Sequence, residues 1–305
     1  MKEIIAPIER ELLKTELTTE RILRCTRKGG NEIYSVNIHN APNIIREIGR
    51  LREVTFRNSG GGTGQEMDLD NFDTSENCYQ QLIVWSPEEE EIIGGYRYIL
   101  CKNVLNGPDG IALSTRHYFD FSEQFIHEYL PTTIELGRSW VQPNFQPSVN
   151  PRKGLFALDN IWDGLGAVVV NNPEIEYFFG KVTMYPSYNV QARNFLLHFM
   201  HHFFPDRDQL MTPRNPLLQD EYDQIGFDRI LKGLDFKEGY RVLNSFVKDK
   251  GEFIPPLVSI YMGLSPTMKT FGTAVNKDFG SVEETGILVS FKDIHQEIKD
   301  RYMTY

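Results

Sequence analysis

The chain of 305 residues contains no run of about 18 apolar residues, the minimum for a helix that spans a bilayer. Its opening stretch, "MKEIIAPIERELLKTEL", is charged from the start and holds no apolar h-region, so no secretory signal is expected. Cysteine is scarce. Cys25, Cys78 and Cys101 are scattered and odd in number, which argues against a disulfide framework and for reduced thiols in the cytoplasm. Positive charge is short as well: 32 Lys and Arg stand against 42 Asp and Glu, a formal net charge of −10. That balance disfavours nucleic acid as the main partner, while leaving room for local basic patches. No repeat period or low-complexity tract appears. Apolar residues are present in strength, at 40% hydrophobic and 12% aromatic, which indicates a folded globular chain rather than disorder. The length suffices for one large α/β domain or two modest ones.

Apolar spacing predicts an opening helix over 8–17. "RILRCTRKGGNEIYSVNIHN" sets a Gly-Gly turn between two alternating runs, a hairpin signal. In "APNIIREIGRLREVTF", Pro42 near the first turn and apolar residues at helical spacing predict a helix. "YQQLIVWS" and "EIIGGYRYILCK" read as strands joined by the turn "PEEEE", whose glutamates are solvated. A polar loop near 106–110 leads to a helix at "FSEQFIHEYL" and a strand at "TTIELGRSWVQPNF". Further on come a helix in "GLFALDNIWDGLGAVVVNN", a buried strand in "IEYFFGKVTMYP" and an amphipathic helix in "NVQARNFLLHFMHHFF". Residues 205–250 are more polar and read as a helical insertion, and the tail as a helix, two strands and a charged helix. The order is mixed α/β.

Several constellations invite a chemical reading. "SGGGTG" fails both phosphate-loop patterns, since it lacks Lys-Ser/Thr and does not join a strand to a helix. Successive glycines suit a mobile connection beside a site better. "HFMHH" places two imidazoles on one helical face, but offers no third ligand and no metalloprotease glutamate. It reads as the polar edge of an aromatic-rich helix, and no metal is expected. Asp68, Asp70 and Asp73 lack the glycine and glutamate of a calcium loop. In an extended segment Asp68 and Asp70 face one way and Asp73 the other, and two carboxylates on one face call for a neutralising cation. "IELGRS" carries Glu135 and Arg138 on opposite faces of a regular strand, which a bulge near Gly137 would bring together. Arg97 in "GGYRY" is a third strand-borne charge. Structural ion pairing explains any one of these, but less readily their joint presence.

Arg52-x-x-x-Phe56, "DLDNFD", "VWSPEEEEIIGGYRY" and "ELGRSWVQP", in that order, resemble the acyl-carrier-protein-dependent N-acyltransferases of the GNAT superfamily. Within it the likeness is to the ornithine-lipid and glycine-lipid enzymes, whose relatives are often labelled hemolysins, and more distantly to acyl-homoserine-lactone synthases. The tail, "IPPLVSIYMGLSP" and "NKDFGSVEETGILVSF", is similar to the lipid enzymes alone. The resemblance covers 44–291 and implies one GNAT domain over 1–305. That domain has a mixed central sheet flanked by helices (α/β, α+β), an N-terminal hairpin extension over 1–40 and the insertion at 205–250.

The same resemblance implies a sheet that splays around an acyl pantetheine thioester, with an amine on the other side. Arg52 and Phe56 fall on the N-terminal substrate residues, Asp68, Asp70 and Asp73 on or beside the acidic motif, Arg97 on the strand arginine, and Glu135 and Arg138 on the E-x-x-R pair. The glycine stretch then reads as a flexible lid. Where acetyl-CoA enzymes carry a glycine-rich pyrophosphate turn, this chain reads "YPSYNVQARN". That favours an acyl carrier protein as donor, its phosphopantetheine the co-substrate, with acyl-CoA as the alternative and no tightly bound cofactor. Amide formation needs a neutral amine and stabilisation of the oxyanion. Glu135 is the candidate base, Asp70 a holder of the ammonium, Arg138 a partner of the acidic motif, and Arg97 or Arg52 a receiver of the amino acid's carboxylate. The oxyanion donor is expected to be a backbone N–H on "FFGKVTMY". An acidic carrier would dock on Arg152, Lys153 and Arg193. The expected product is an aminolipid, made from glycine first and ornithine second, with membrane contact only peripheral and through the product. A membrane-lytic protein lacks its amphipathic or spanning segment here; a non-catalytic GNAT-like binding module is the remaining alternative.

Overall fold

The computed structural model describes all residues except Asn106, Pro108, Asp109, Glu221 and Tyr305, so part of the expected 106–110 loop lies outside the described residues. In chain order the strands are β1 Ile22–Cys25, β2 Glu32–Val36, β3 Gln80–Ser86, β4 Glu91–Leu100, β5 Phe119–Phe121, β6 Thr133–Val141, β7 Tyr177–Met184, β8 Met211–Pro213, β9 Lys269–Asn276 and β10 Val282–Ser290. The helices are α1 Arg10–Glu16, α2 Pro42–Asn58, α3 Asn71–Thr74, α4 Pro151–Gly154, α5 Ala157–Val170, α6 Val190–Phe203, α7 Gln224–Leu231, α8 Phe236–Asp249, α9 Pro256–Leu264 and α10 Gln296–Tyr302. None of the described helices is long and apolar enough to cross a membrane.

Eight strands form one sheet in the order β1-β2-β3-β4-β6-β7-β10-β9. Every neighbouring pair in it is antiparallel except β6 and β7, which run parallel. Side chains alternate across the pleat. Leu82, Val84, Tyr96, Tyr98, Ile134, Leu136 and Phe178 pack with α5, α6 and α9 on one face. Ile83, Trp85, Ile92 and Trp140 pack under α2 on the other, where Ile99, Phe179 and Leu288 continue into an aromatic cluster. The strand at 177–184 reads as apolar because both of its faces are covered.

The expected hairpin, the helix beginning at Pro42 and the tail are present. "FSEQFIHEYL" differs: it winds as a π-helical turn, Phe125–Tyr129, followed by a 3-10 turn, Leu130–Thr132, instead of an α-helix. Pro131 lacks the N–H that would continue the ladder, and the wide turn seats Phe125 against Phe121, Phe179 and Phe271. The helices of 205–250 pack onto α6 through Phe195 against Phe227 and Phe246, with ring centroids 4.9 and 4.7 Å apart.

The parallel pair holds for three register positions only, Thr133↔Tyr177, Ile134↔Phe178 and Glu135↔Phe179. Beyond them β6 runs on to Val141 and β7 to Met184 without further pairing to each other. The sheet therefore opens into a cleft between two strands that point the same way. Gly180 sits at its root, where a Cβ would lie 2.7 Å from the Leu136 carbonyl oxygen. Gly180→Ala is expected to force these strands apart and to destabilise the fold by about 1–3 kcal/mol, as overpacking does. A lower urea midpoint at unchanged m reads this, and an unshifted midpoint would show that the root has slack.

Candidate functional site

Arg52, on the buried face of α2, is 0% exposed. Its Nε donates to Asp68 Oδ2 at 2.9 Å, and its terminal nitrogens to the two oxygens of Asp73 at 3.1 and 3.2 Å. Asp73 also accepts from Gln81 Nε2 at 2.8 Å. From β4, Arg97 Nη1 reaches both oxygens of Asp70 at 2.8 Å and Asp73 at 3.3 Å. From β6, Arg138 Nε lies 2.9 Å from Asp68 Oδ2. Three guanidinium groups thus face three carboxylates. Burial alone would raise the Asp68 and Asp73 carboxyls, but the arginines outweigh it and hold both below the usual carboxylate range.

The extended reading of 68–73 needs correcting. Asp70 is the N-cap of α3, and a reciprocal capping box links it to Asp73. That turn brings Asp73 round, so all three carboxylates converge on the arginines. Arg52 is likewise not available to a substrate carboxylate, because its nitrogens are bonded inside the protein and sealed from solvent. Phe56 is buried too. It meets Phe279 edge-on at 5.2 Å, and Phe279 in turn lies beneath Arg138, 4.4 Å from ring centroid to guanidinium carbon.

The bulge near Gly137 exists: between Gly95 and Arg97 of β4 the β6 partner jumps from Trp140 to Gly137, and Arg138 adopts φ 47°. It turns Arg138 toward the acidic segment, while Glu135 keeps separate partners. The Glu135 carboxylate accepts from the Tyr79 hydroxyl at 2.7 Å, the Ser114 hydroxyl at 2.7 Å and the Thr115 amide at 3.1 Å. It is fully buried, and burial raises its carboxyl above the ordinary value against the pull of Ser114 and Tyr79.

A second polar group on the same sheet face escaped the sequence reading. Lys181 of β7 pairs with Glu284 of β10 at 2.5 Å, and Thr183 and Asn276 also donate to Glu284, at 2.8 and 3.1 Å. Lys181 lies 4.9 Å over the Tyr118 ring. Burial lowers its ammonium and Glu284 opposes that, but the charges of Arg138 and Arg97 add to the lowering. The available signal was a charge inside an apolar strand, "FFGKVTM" and "VEETGILV", a pattern that a fully covered strand does not otherwise hold.

The glycine stretch lies over this region in an ordered form. The buried Glu53 carboxylate accepts from the Thr63 amide, the Thr63 hydroxyl and the Gly64 amide at 3.0, 2.7 and 2.8 Å. A Cβ on Gly61 would press on the Tyr185 and Phe279 rings, at 3.0 and 3.3 Å, so glycine lets the loop lie close without displacing them. Among the basic candidates, Arg152 is exposed and Lys153 pairs with Glu89 at 2.6 Å. Arg193 is buried and bonded to Glu283 at 2.5 Å, so it is not presented to a docking partner. At the start of α6, the Asn189 side chain caps Gln191 and Ala192, and the Glu252 carboxylate accepts from the Asn189 amide at 2.9 Å.

The Acetyltransferase (GNAT) domain family matches residues 51–152, which hold the arginine–aspartate network and Glu135. A glycine N(alpha)-acyltransferase of Bacteroides thetaiotaomicron is 53% identical over 304 residues, 99% of this chain and 90% of that protein. Another glycine N(alpha)-acyltransferase, from Phocaeicola vulgatus, is 52% identical over 99% of this chain and 93% of its own length. The crystal structure of the AHL synthase LasI aligns with a TM-score of 0.42 and 11% identity, covering 89% of this chain and 94% of that one. The chain belongs to the GNAT acyltransferase family of these full-length relatives, and it is an acyltransferase.

Proposed function

We propose that the chain transfers a long-chain acyl group from an acyl carrier protein thioester to the α-amino group of glycine, in the cytoplasm, as a step of aminolipid synthesis. The observation that carries this reading is the full-length similarity to two glycine N(alpha)-acyltransferases. The cleft between β6 and β7 suits the thioester, since the facing edges of these strands leave the ladder beyond Glu135 and Phe179. Backbone amides there can meet a developing oxyanion. The start of α6 supports a donor without a nucleotide. Helix N-termini attract anions, and this one already holds the Glu252 carboxylate and its own asparagine cap. Arg152, which is exposed, and Lys153 form the docking face in this reading.

The acceptor enters on the α2 face. Arg138 and Lys181 keep 14% and 11% of their side chains exposed there, and their mutual repulsion contributes to the lowered Lys181 ammonium. A carboxylate between two cations relieves that repulsion, so these two receive the carboxylate of glycine. Asp70, the most exposed member of its network at 34%, holds the ammonium. The proton lost by the amine passes through the Ser114 or Tyr79 hydroxyl to Glu135, whose raised carboxyl is the better base for it.

Purified protein incubated with a long-chain acyl carrier protein and single amino acids is expected to yield N-acylglycine by mass spectrometry. N-acylornithine instead would change the acceptor, and reaction with acetyl-CoA alone, or with nothing, would sink the reading. Glu135→Gln should keep the fold, because both hydroxyls can rotate to suit an amide, and lower the rate about 100-fold or more. Near-normal turnover by the folded variant would remove Glu135 from the chemistry. Removing Lys181 together with Glu284 leaves no unpaired buried charge. The double variant Lys181→Met, Glu284→Gln is therefore expected to fold and to raise KM for glycine about 10–100-fold, the worth of a charged hydrogen bond. The KM for the acyl donor should change little, and an equal rise for both substrates would place the pair elsewhere in the mechanism.

A further inference from the structure

Helix α6 carries His198 and His202 four residues apart, a spacing that sets side chains one above the other on a single face. Their rings lie 6.4 Å apart and nearly parallel, at 26°. His201 stands between them in sequence but is not part of the cluster. The fold supplies a third ligand from the insertion: Asp228 on α7 brings Oδ1 to 3.0 Å from His198 Nε2. One ligand atom from each of His198, His202 and Asp228 lies within 4.8 Å of the other two.

The orientation of His198 is set from behind. Its Nδ1 lies 2.7 Å from the Tyr222 hydroxyl, so Nε2 is the nitrogen turned toward the cluster, as an outer hydrogen bond does for metal-bound imidazoles. His198 is only 7% exposed. Its Nε2 is buried and makes no well-directed hydrogen bond, although the Asp228 oxygen is 3.0 Å away. Two ligands each about 2.0–2.2 Å from one ion stand about 3–3.5 Å apart, which the His198–Asp228 separation fits.

We propose that His198, His202 and Asp228 form a binding site for a zinc-class divalent ion that clips the insertion onto α6. Two imidazoles with one carboxylate suit zinc, copper or nickel. Calcium and magnesium, which take oxygen ligands, are disfavoured. His202 and Asp228 are exposed, so the ion enters from solvent. The site lies on the later turns of α6, away from the helix start that follows β7, and its role is structural. It stands apart from the acyl-transfer reading.

The test uses the full-length protein without a histidine tag, stripped with chelator and then dialysed against zinc alone. Elemental analysis should find about one zinc per chain, and zinc should raise Tm. His202→Ala and Asp228→Asn alter exposed residues and are expected to fold, as circular dichroism would verify. Each should cut zinc content at least tenfold and abolish the rise in Tm. Zinc content well below one per chain in the unaltered protein, or equal content and an equal rise in the folded variants, would overturn the site.

Discussion

The structure hangs on the buried meeting of Arg52, Arg97 and Arg138 with Asp68, Asp70 and Asp73. Taking charges out of water is expensive, and attraction repays it only when each partner is matched and hydrogen-bonded. Here the count is even and the geometry close: Arg52 engages Asp73 with two nitrogens and Asp68 with a third. Loss of one of its fully buried members, Arg52, Asp68 or Asp73, costs about 3–5 kcal/mol, because the charges it leaves behind stay buried. The network also fixes positions that apolar packing leaves free. It ties α2 to the 68–73 segment, and that segment to β4 and β6. It holds Arg138 in the left-handed region at φ 47°, a conformation that costs a non-glycine residue about 1–2 kcal/mol.

With its own charges balanced, the network acts as a neutral wall beside the cleft. Charge next to it is not settled in the same way. Lys181 and Glu284 form a compact pair, but Lys181 also feels Arg138 and Arg97. Around it the surface is aromatic: Tyr118 lies under Lys181 and Phe279 under Arg138. Such rings accept cations on their faces while keeping water scarce. A chain with formal charge −10 therefore keeps a local region where paired cations lie close together and leave a small part of their side chains exposed. This is the electrostatic setting that a small zwitterion, carrying both signs within a few atoms, matches better than an uncharged amine does.

Much of the scaffold was legible because it follows local rules. The Gly-Gly hairpin, the helix opened by Pro42 and the alternating strands each have a signal within a few residues. Family likeness picked out the network residues, but not how they meet. That Asp73 joins Asp68 depends on a four-residue helix capped by Asp70, and an extended reading of "DLDNFD" turns it the wrong way. Arg193 reads as surface in an amphipathic helix until β10 brings Glu283 against it. Lys181 with Glu284, and His198 with Asp228, join residues 103 and 30 positions apart in sequence, contacts that no local pattern encodes. The glycine stretch shows the same limit from the other side. Its composition suggests freedom, while Glu53, a residue of the preceding helix, accepts its amides and holds it in place.

The cleft also depends on what stands behind β7. That strand is joined to β6 at three positions only, so its course toward Met184 is set by β10 on one side and by the α6 helix that follows it. The start of α6 is tied by the Asn189 cap and by Glu252, which comes from just after α8. Its middle is packed by the phenylalanines of α7 and α8. The insertion thus braces the helix at more than one level, and through it the outer strand of the cleft. A GNAT sheet must open without tearing, since an unpaired strand edge frays unless something else holds it. In this chain the bracing falls to residues 205–250 together with Glu252 just beyond them.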